Sequence, residues 1–159
     1  MNLLLVRHGE ALSKAEAKVA FDNDRPLSPA GIKTITALGK RWKSEGLHPR
    51  RVLTSPARRA LQTADLLAQA LGATAEITDA LALGRDPEAF LDFLQRQPNT
   101  RTLIGVGHQP QLVEIATQLA FGRVSGGMAL QPGGACWVEL PGFPASLAGT
   151  IRGLWNPQG

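Results

Sequence analysis

Arg7, His8 and Gly9 directly follow an apolar run that extends from Leu3 to Val6. A short, continuously apolar run of this kind is typical of a buried parallel strand. Ligands of open α/β sheets lie beyond the carboxyl ends of such strands. An arginine at that place can bind an anion through its planar fork of donors, and a histidine can act as nucleophile or acid–base group near neutral pH. The pair therefore indicates phosphoryl-transfer chemistry.

Two more apolar runs end near residues of the same chemical types. One run ends at Thr54 and is followed by Arg59, and the other ends at Val106 and is followed by His108. Because ligands of such sheets bind at one edge, we expect these side chains to join the arginine–histidine pair of the first strand. Two guanidinium groups and two imidazoles around one oxyanion could position and stabilise a transferring phosphoryl group without a metal.

Hydrophobic periodicity predicts the elements that position these residues. Strands are predicted over residues 2–6, 51–54, 73–78, 102–106, 135–140 and 150–155. Helices are predicted from 29 to near 45, over 57–71, from 86 through 94, and over 111–121. The order predicts a single α/β domain over residues 1–159, with a mostly parallel sheet and antiparallel closing strands.

Helix starts can be placed from capping residues. Ser28 is predicted to cap a helix whose first residue is Pro29, and prolines also favour the first helical position after two other strands, at Pro56 and Pro110. The helix after Ser28 has one apolar stripe that is predicted to face the core, formed by Ile32, Ile35, Leu38 and Trp42.

The composition is that of an ordinary globular protein, with 43% hydrophobic and 19% charged residues among 159. No apolar stretch has the length of a membrane span and the first residues do not form a signal peptide, so we expect a cytoplasmic protein. The single cysteine, Cys136, lies in an apolar strand-like run and is predicted to be a buried structural thiol. A zinc site formed by His8, His108 and Cys136 fits no known ligand spacing, and we expect no metal or cofactor.

The net charge of +4 is unevenly distributed. Residues 1–60 contain twelve Lys or Arg and five Asp or Glu, whereas residues 61–159 contain five and eight. A positive cleft would attract a phosphorylated substrate, although a solvated basic face on one helix is the simpler explanation. The chain has no Tyr and no recognised nucleic-acid motif, so we expect no nucleic-acid partner.

The sequence motifs resemble those of the histidine phosphatase superfamily, which has the phosphoglycerate-mutase-like fold. The resemblance runs in order through most of the chain and rests on three segments, Arg7-His8-Gly9, the stretch from Ser55 to Ala64 that contains Arg-Ala-Leu-Gln-Thr-Ala, and Gly107-His108. The short length and the Arg25-Pro26-Leu27-Ser28 stretch are similar to the small bacterial phosphohistidine phosphatases of that superfamily. The resemblance implies a three-layer α/β/α sandwich.

The resemblance also implies a role for each motif residue. His8 would be the nucleophile that becomes phosphorylated, Arg7 and Arg59 would bind the phosphoryl oxygens, and His108 would donate to the transferring group. Arg25 would be a further phosphate ligand. Two other residues match no motif: Arg58 is expected to be a solvated helix residue and His48 a loop residue.

One departure from the superfamily concerns the general acid. Many members have a glutamate after the third strand, and Leu83 aligns with it here. Asp79, Asp86 or Glu88 could replace it, although Asp86 and Glu88 are better explained as a helix cap and a first-turn charge. Without an acid, which contributes a factor of about 10² to 10⁴, basic alkoxide leaving groups would be poor substrates. Phosphorus–nitrogen bonds are more labile and depend less on a general acid.

These observations lead to one function hypothesis and two alternatives. The chain is predicted to be a metal-independent phosphatase with a phosphohistidine intermediate, which acts on phosphohistidine in a partner protein. A phosphatase of small phosphomonoesters is the first alternative, and a phosphate-binding module without turnover is the second. We expect a monomer that does not bind membranes.

Overall fold

The computed structural model describes residues 1–98, 100–142 and 148–157. The strands are β1 (Asn2–Arg7), β2 (Arg51–Thr54), β3 (Thr74–Ile77), β4 (Thr102–Gly107), β5 (Ala135–Glu139) and β6 (Thr150–Trp155). The helices are α1 (Lys14–Ala17), α2 (Pro29–Ser44), α3 (Arg58–Leu71), α4 (Pro87–Gln95) and α5 (Gln111–Phe121). Short 3₁₀ turns occur at Asp22–Asp24 and Asp79–Leu81.

All six strands form one sheet in the order β3-β2-β4-β1-β5-β6. The first four are parallel, β5 is antiparallel to β1, and β6 is antiparallel to β5. The predicted α/β class, with a mostly parallel sheet and antiparallel C-terminal strands, is therefore confirmed.

Alternate residues of β1 belong to different hydrophobic clusters, as the two-residue period of a strand requires. Leu3 and Leu5 pack in a cluster with residues of α4 and α5, while Leu4 and Val6 pack in a cluster with residues of α2 and α3. Helices thus cover both faces of the sheet, which gives the three-layer arrangement. No helix in residues 1–98, 100–142 and 148–157 is long and apolar enough to cross a membrane.

The buried face of α2 differs from the predicted stripe. Ile32 is 43% exposed, whereas Gly31, Ile35, Gly39 and Trp42 are buried. The glycines determine this face because they allow close approach: a Cβ on Gly31 would lie 2.2 Å from the carbonyl oxygen of Glu10. Glycine has no side chain, so a helix face on which glycines make the close contacts cannot be recognised from the pattern of apolar side chains.

The proline prediction was right for α2 and wrong for the two helices that follow β2 and β4. Pro29 and Pro87 are the first residues of α2 and α4. Pro56, by contrast, precedes the N-cap of α3, and Pro110 is itself the N-cap of α5. In both places the proline lies in the turn between strand and helix, and these turns contain Ser55 and His108.

Candidate active site

His8 follows β1, and both of its ring nitrogens have partners. Nδ1 lies 2.7 Å from the carbonyl oxygen of Gly9, and Arg59 Nε lies 3.3 Å from Nε2. A carbonyl oxygen only accepts, so the hydrogen of the neutral ring is on Nδ1. Nε2 therefore presents its lone pair, as a nucleophile must.

The electrostatics of the site keep both imidazoles neutral at pH 7. Burial lowers the pKa of His8 to about 4, and Arg59, Arg7 and Arg25 add to this effect, while the hydrogen bond to the Gly9 carbonyl opposes it. Burial, followed by the proximity of His8 and Arg59, lowers the pKa of His108 to about 3. The two ring centroids are 5.2 Å apart.

His108 follows β4 and is held by a serine from the neighbouring strand end. Its Nε2 lies 2.8 Å from Oγ of Ser55, and the backbone N–H of Ala57 donates to the same oxygen. Since that oxygen already accepts one hydrogen bond, its hydroxyl is free to donate to Nε2, which favours the hydrogen of His108 on Nδ1. This Nδ1 is buried and has no partner among the described residues.

Arg59, in the first turn of α3, is only 4% exposed and is fixed by an aspartate from the segment before α2. Its Nη2 donates to Oδ2 of Asp22 at 2.9 Å, and its Nη1 donates to the carbonyl oxygen of Asp22 at 2.8 Å. Both terminal nitrogens are thus directed at Asp22, while Nε is directed at His8.

Arg25 contacts the same aspartate. Its Nη1 donates to Oδ1 of Asp22 at 3.0 Å, and its Nε donates to the carbonyl oxygen of Leu12 at 2.7 Å. The hydrogen bond from Arg25, with the charge and hydrogen bond of Arg59, holds the pKa of Asp22 below its usual range. Arg25, Asp22 and Arg59 therefore form one hydrogen-bonded chain that ends at Nε2 of His8, and we call it the arginine–aspartate chain.

Arg7, the last residue of β1, has one fixed terminal nitrogen and one free donor. Nη1 donates to the carbonyl oxygen of Leu130 at 2.8 Å, whereas Nε is buried without a partner among the described residues. Buried donors without acceptors are costly and rare in native proteins. Arg7 Nε is one such donor, and His108 Nδ1 is another in the tautomer that Ser55 favours.

A cavity of about 310 Å³, here called the phosphoryl pocket, unites the predicted site residues. Its lining includes all five of them, namely Arg7, His8, Arg25, Arg59 and His108. The structure thus brings these side chains together, while their roles in catalysis stay predictions.

Leu83 lines the same pocket and is 49% exposed, so the position that aligns with the general acid does face the site and has an apolar side chain. The three acids considered as replacements, Asp79, Asp86 and Glu88, are not part of the lining. Glu10, which does line it, was not predicted as a site residue, and its Oε1 accepts a hydrogen bond from Ser28 Oγ.

The structure adds Asp22 and Ser55 to the site, and sequence reasoning assigned neither. Asp22 lies in a polar stretch without periodicity, where only its spacing of three residues from Arg25 is a signal. Ser55 belongs to a motif segment, but nothing in the sequence tells which side chain its hydroxyl contacts.

The residues predicted to lie outside the site do so. Arg58 is exposed beside the buried Arg59, and His48 is exposed in a loop. Cys136 is fully buried in the core, and burial raises the pKa of its thiol to about 11, as expected for an unreactive side chain. No group of three or more His, Cys, Asp or Glu side chains suited to a metal ion occurs within the part of the chain that the structure describes.

Comparison with known proteins gives the family. The model of the histidine phosphatase superfamily (branch 1) matches residues 3–82, which include the first two motifs and Arg25. This chain belongs to the histidine phosphatase superfamily. Superfamily members are phosphatases and mutases, in agreement with a phosphoryl pocket that contains two histidines.

The histidine phosphatase relatives differ in sequence identity to this chain and in how much of their length it covers. An uncharacterized protein of Picosynechococcus is 39% identical over 138 residues, which are 84% of this chain and 82% of that protein. Probable phosphoglycerate mutase GpmB of Salmonella typhi is 32% identical over 82% of this chain, which spans 57% of GpmB. The protein histidine phosphatase SixA complexed with tungstate has the same fold, with a TM-score of 0.85, 24% identity and coverage of 99% and 97%.

Proposed function

We propose that this chain is a metal-independent phosphatase that removes the phosphoryl group from phosphohistidine in a partner protein, and that its whole length acts as one domain. The observation that carries this proposal is the state of His8. Its ring hydrogen is on Nδ1, so Nε2 keeps a lone pair that accepts a hydrogen bond from Arg59. The ring is neutral at pH 7, and the side chains of Arg7, Arg25, Arg59 and His108 line the same pocket.

The first chemical step is attack by Nε2 of His8 on the phosphorus atom. The bond from phosphorus to the substrate nitrogen breaks, and the substrate imidazole leaves with the electron pair. A phosphohistidine ring that is protonated on its other nitrogen leaves as neutral imidazole, so that no protein acid is required. Leu83, where a carboxylic acid would otherwise be expected, is compatible with such a leaving group.

The second step is hydrolysis of the phosphorylated His8. Water attacks the phosphorus, inorganic phosphate leaves, and Nε2 regains its lone pair. In both steps the equatorial oxygens carry negative charge, and Arg59 Nε, Arg7 Nε and His108 Nδ1 are the donors that would bind them. Loss of one preorganised donor of this kind costs about 3 kcal/mol in the barrier.

Two comparisons support the choice of substrate. A protein histidine phosphatase has the same fold over nearly the full length of both chains. GpmB, named as a mutase, is considerably longer than this chain. The phosphoryl pocket shares lining residues with a neighbouring cavity on each side, which leaves room for a phosphorylated side chain on a protein surface.

The decisive experiment is a substrate panel with the wild type and His8→Ala. We expect the wild type to hydrolyse a phosphohistidine protein faster than common phosphometabolites, with undiminished activity in EDTA. Acid quench with labelled substrate should trap phosphate on His8, and His8→Ala should be inactive but folded. Faster turnover of a metabolite would overturn the protein substrate, loss of activity in EDTA would overturn the metal-independent mechanism, and absence of any phosphoenzyme would support a binding module.

A further inference from the structure

The phosphoryl pocket is the middle one of three adjoining depressions. On one side it shares Arg7 and Gln109 with a cavity of about 440 Å³, which we call the apolar pocket. Its wall includes Val113, Val124, Met128 and Leu130.

On the other side the phosphoryl pocket shares Glu10 and Pro132 with a cavity of about 720 Å³, which we call the α2 groove. One wall of this groove is the face of α2 that contains Lys33 and Arg41, and the other includes Trp155. The reacting group would therefore lie in the middle of a continuous trough, with room on both sides for more than a small molecule.

Positive charge predominates on helix α2, while Glu10 is the acidic residue in the lining of the α2 groove. Helix α2 has four basic side chains and no acidic one between Pro29 and Ser44. Two of them, Lys33 and Arg41, line the groove, whereas Lys40 and Lys43 are exposed on the same helix outside it. Arg41 pairs with Glu45, and Lys33 has no ion pair among the described residues.

We propose that this trough is the docking surface for the phosphorylated partner protein, which places acidic side chains in the α2 groove and an apolar side chain in the apolar pocket. The inference rests on the proposed function and adds the surface chemistry of the partner. Cations beside Trp155 complement carboxylates that flank the phosphohistidine, and complementary charge of this kind determines specificity and association rate.

The rim between the phosphoryl pocket and the α2 groove favours a protein over a nucleic acid as the binding partner. Glu10 is exposed on that rim. A nucleic acid that continued from one cavity into the other would bring its phosphates next to this carboxylate. A protein surface can place its acidic groups beyond the rim and avoid the repulsion.

The test reverses the charge of two pairs of basic residues on α2, one pair inside the α2 groove and one outside it. Lys33→Glu with Arg41→Glu changes the groove, and Lys40→Glu with Lys43→Glu makes the same change in charge outside it. The substrates are a synthetic phosphohistidine peptide with flanking glutamates, its twin with glutamines, and phosphoramidate as the small substrate.

For the wild type we expect kcat/KM to be about tenfold higher for the glutamate peptide than for its twin, since Lys33 and Arg41 would each add an exposed ion pair of modest strength. The groove variant should lose this preference through KM, and the control variant should keep most of it. Both should hydrolyse phosphoramidate at the wild-type rate, which also shows that they are folded. The preference should decrease as salt rises.

Equal effects of the two double variants, or equal rates with the two peptides, would overturn the docking proposal. Tighter competition by a short single-stranded RNA than by the glutamate peptide would overturn it as well and point to a nucleic acid. A wild type that hydrolyses neither peptide nor phosphoramidate would instead contradict the proposed function. Val124→Asp tests the apolar pocket separately, and unchanged KM for a peptide with a leucine on that side would remove that pocket from the docking surface.

Discussion

The hydroxyl of Ser55 lies 2.8 Å from Nε2 of His108, and the backbone N–H of Ala57 donates to the same oxygen. This arrangement leaves Nδ1 of His108 as the nitrogen that faces no protein acceptor in the described residues. The hydroxyl therefore favours the tautomer of His108 with the hydrogen on Nδ1, the nitrogen that the proposed mechanism uses as a donor.

Ser55→Ala tests this positioning role. Without the hydroxyl, His108 can adopt either tautomer and its ring is no longer held, so we expect kcat to decrease about 10- to 100-fold, which corresponds to the cost of an unpaired buried polar group of about 1–3 kcal/mol. KM should change little, because the arginines that are proposed to bind the phosphoryl group are untouched. Steady-state kinetics with phosphoramidate measure both constants.

Thr54→Val is the matched control for Ser55→Ala. Thr54 is also fully buried, and its hydroxyl donates to the carbonyl oxygen of Ser55 rather than to a site residue. A similar loss of thermal stability with unchanged kcat is the expected result. Equal losses of kcat in the two variants would show that Ser55 supports the fold and has no selective effect on His108.

Asp22→Asn tests the arginine–aspartate chain. The carboxylate accepts from Arg25 and Arg59 at once, whereas an amide has one accepting oxygen and no charge, so Arg59 would be held mainly by the backbone carbonyl oxygen of residue 22. We expect kcat/KM to decrease about tenfold, in the range typical for hydrogen bonds to charged groups. Asp24→Asn, in the same 3₁₀ turn but without an ion pair among the described residues, should have no effect.

Arg25→Gln distinguishes two roles of Arg25, and the double variant with Asp22→Asn is the measurement. If Arg25 acts through Asp22, the double variant should be no worse than the poorer single variant, because residues of one network do not contribute additively. Additive losses would instead support the role predicted from the sequence, in which Arg25 binds the phosphoryl group directly.

Much of the fold could be predicted because the signals are local. The apolar runs of β1, β2 and β4 and the periodicity of α3 and α5 are visible without any knowledge of contacts. Arg7, His8 and His108 could be placed at one edge for the same reason, since each comes directly at or after the end of a strand. The position of Arg59 could be predicted as well, because it requires only that α3 begin shortly after β2.

The rest depends on contacts between distant parts of the chain. Asp22 meets Arg59 across 37 positions, and no local pattern in its polar segment indicates that contact. The predicted buried face of α2 was right at Ile35 and Trp42 but wrong at Ile32, because Gly31 and Gly39 let neighbouring atoms approach the helix closely where a side chain would prevent it. Glu10 was overlooked because a charged residue after a motif is most often solvated.

The pH dependence of stability should reflect the two site histidines. Their pKa values in the folded chain are about 4 and about 3, compared with about 6.5 when unfolded, so between these limits the unfolded chain binds more protons. Stability from this source is complete above pH 6.5 and is lost as the pH falls toward 4 and then 3. Urea unfolding at a series of pH values measures the effect.

Histidine variants separate this effect from general acid denaturation. His108→Gln should make stability less dependent on pH between 6.5 and 3, whereas His48→Gln, at an exposed loop position, should not. The same neutral rings predict that activity does not decline near pH 6.5 through protonation of the free enzyme. An inflection of kcat/KM at pH 6.5 that persists across substrates would contradict the pKa shift of His8.

Leu83→Glu tests the proposal that the site suits a phosphorus–nitrogen bond because it has no general acid. Leu83 lines the phosphoryl pocket and is 49% exposed, so a carboxylic acid there would meet the leaving group without a large cost of burial. General acids contribute a factor of about 10² to 10⁴. We expect kcat/KM for an alkyl phosphate to rise at least tenfold, with little change for phosphoramidate, whose leaving group is already protonated.

Leu83→Gln is the control, because glutamine has nearly the same shape as glutamate but no carboxyl proton to donate. This variant should hydrolyse the alkyl phosphate at the wild-type rate. The gain in Leu83→Glu should also disappear as the pH rises above the pKa of the new carboxyl, because only the protonated form can donate. Equal gains in the two variants would mean that polarity of the rim, rather than an acid, limits the wild type. A wild type that already prefers alkyl phosphates would show that another group in the pocket supplies the proton, and Glu10 is the carboxylate that lines it.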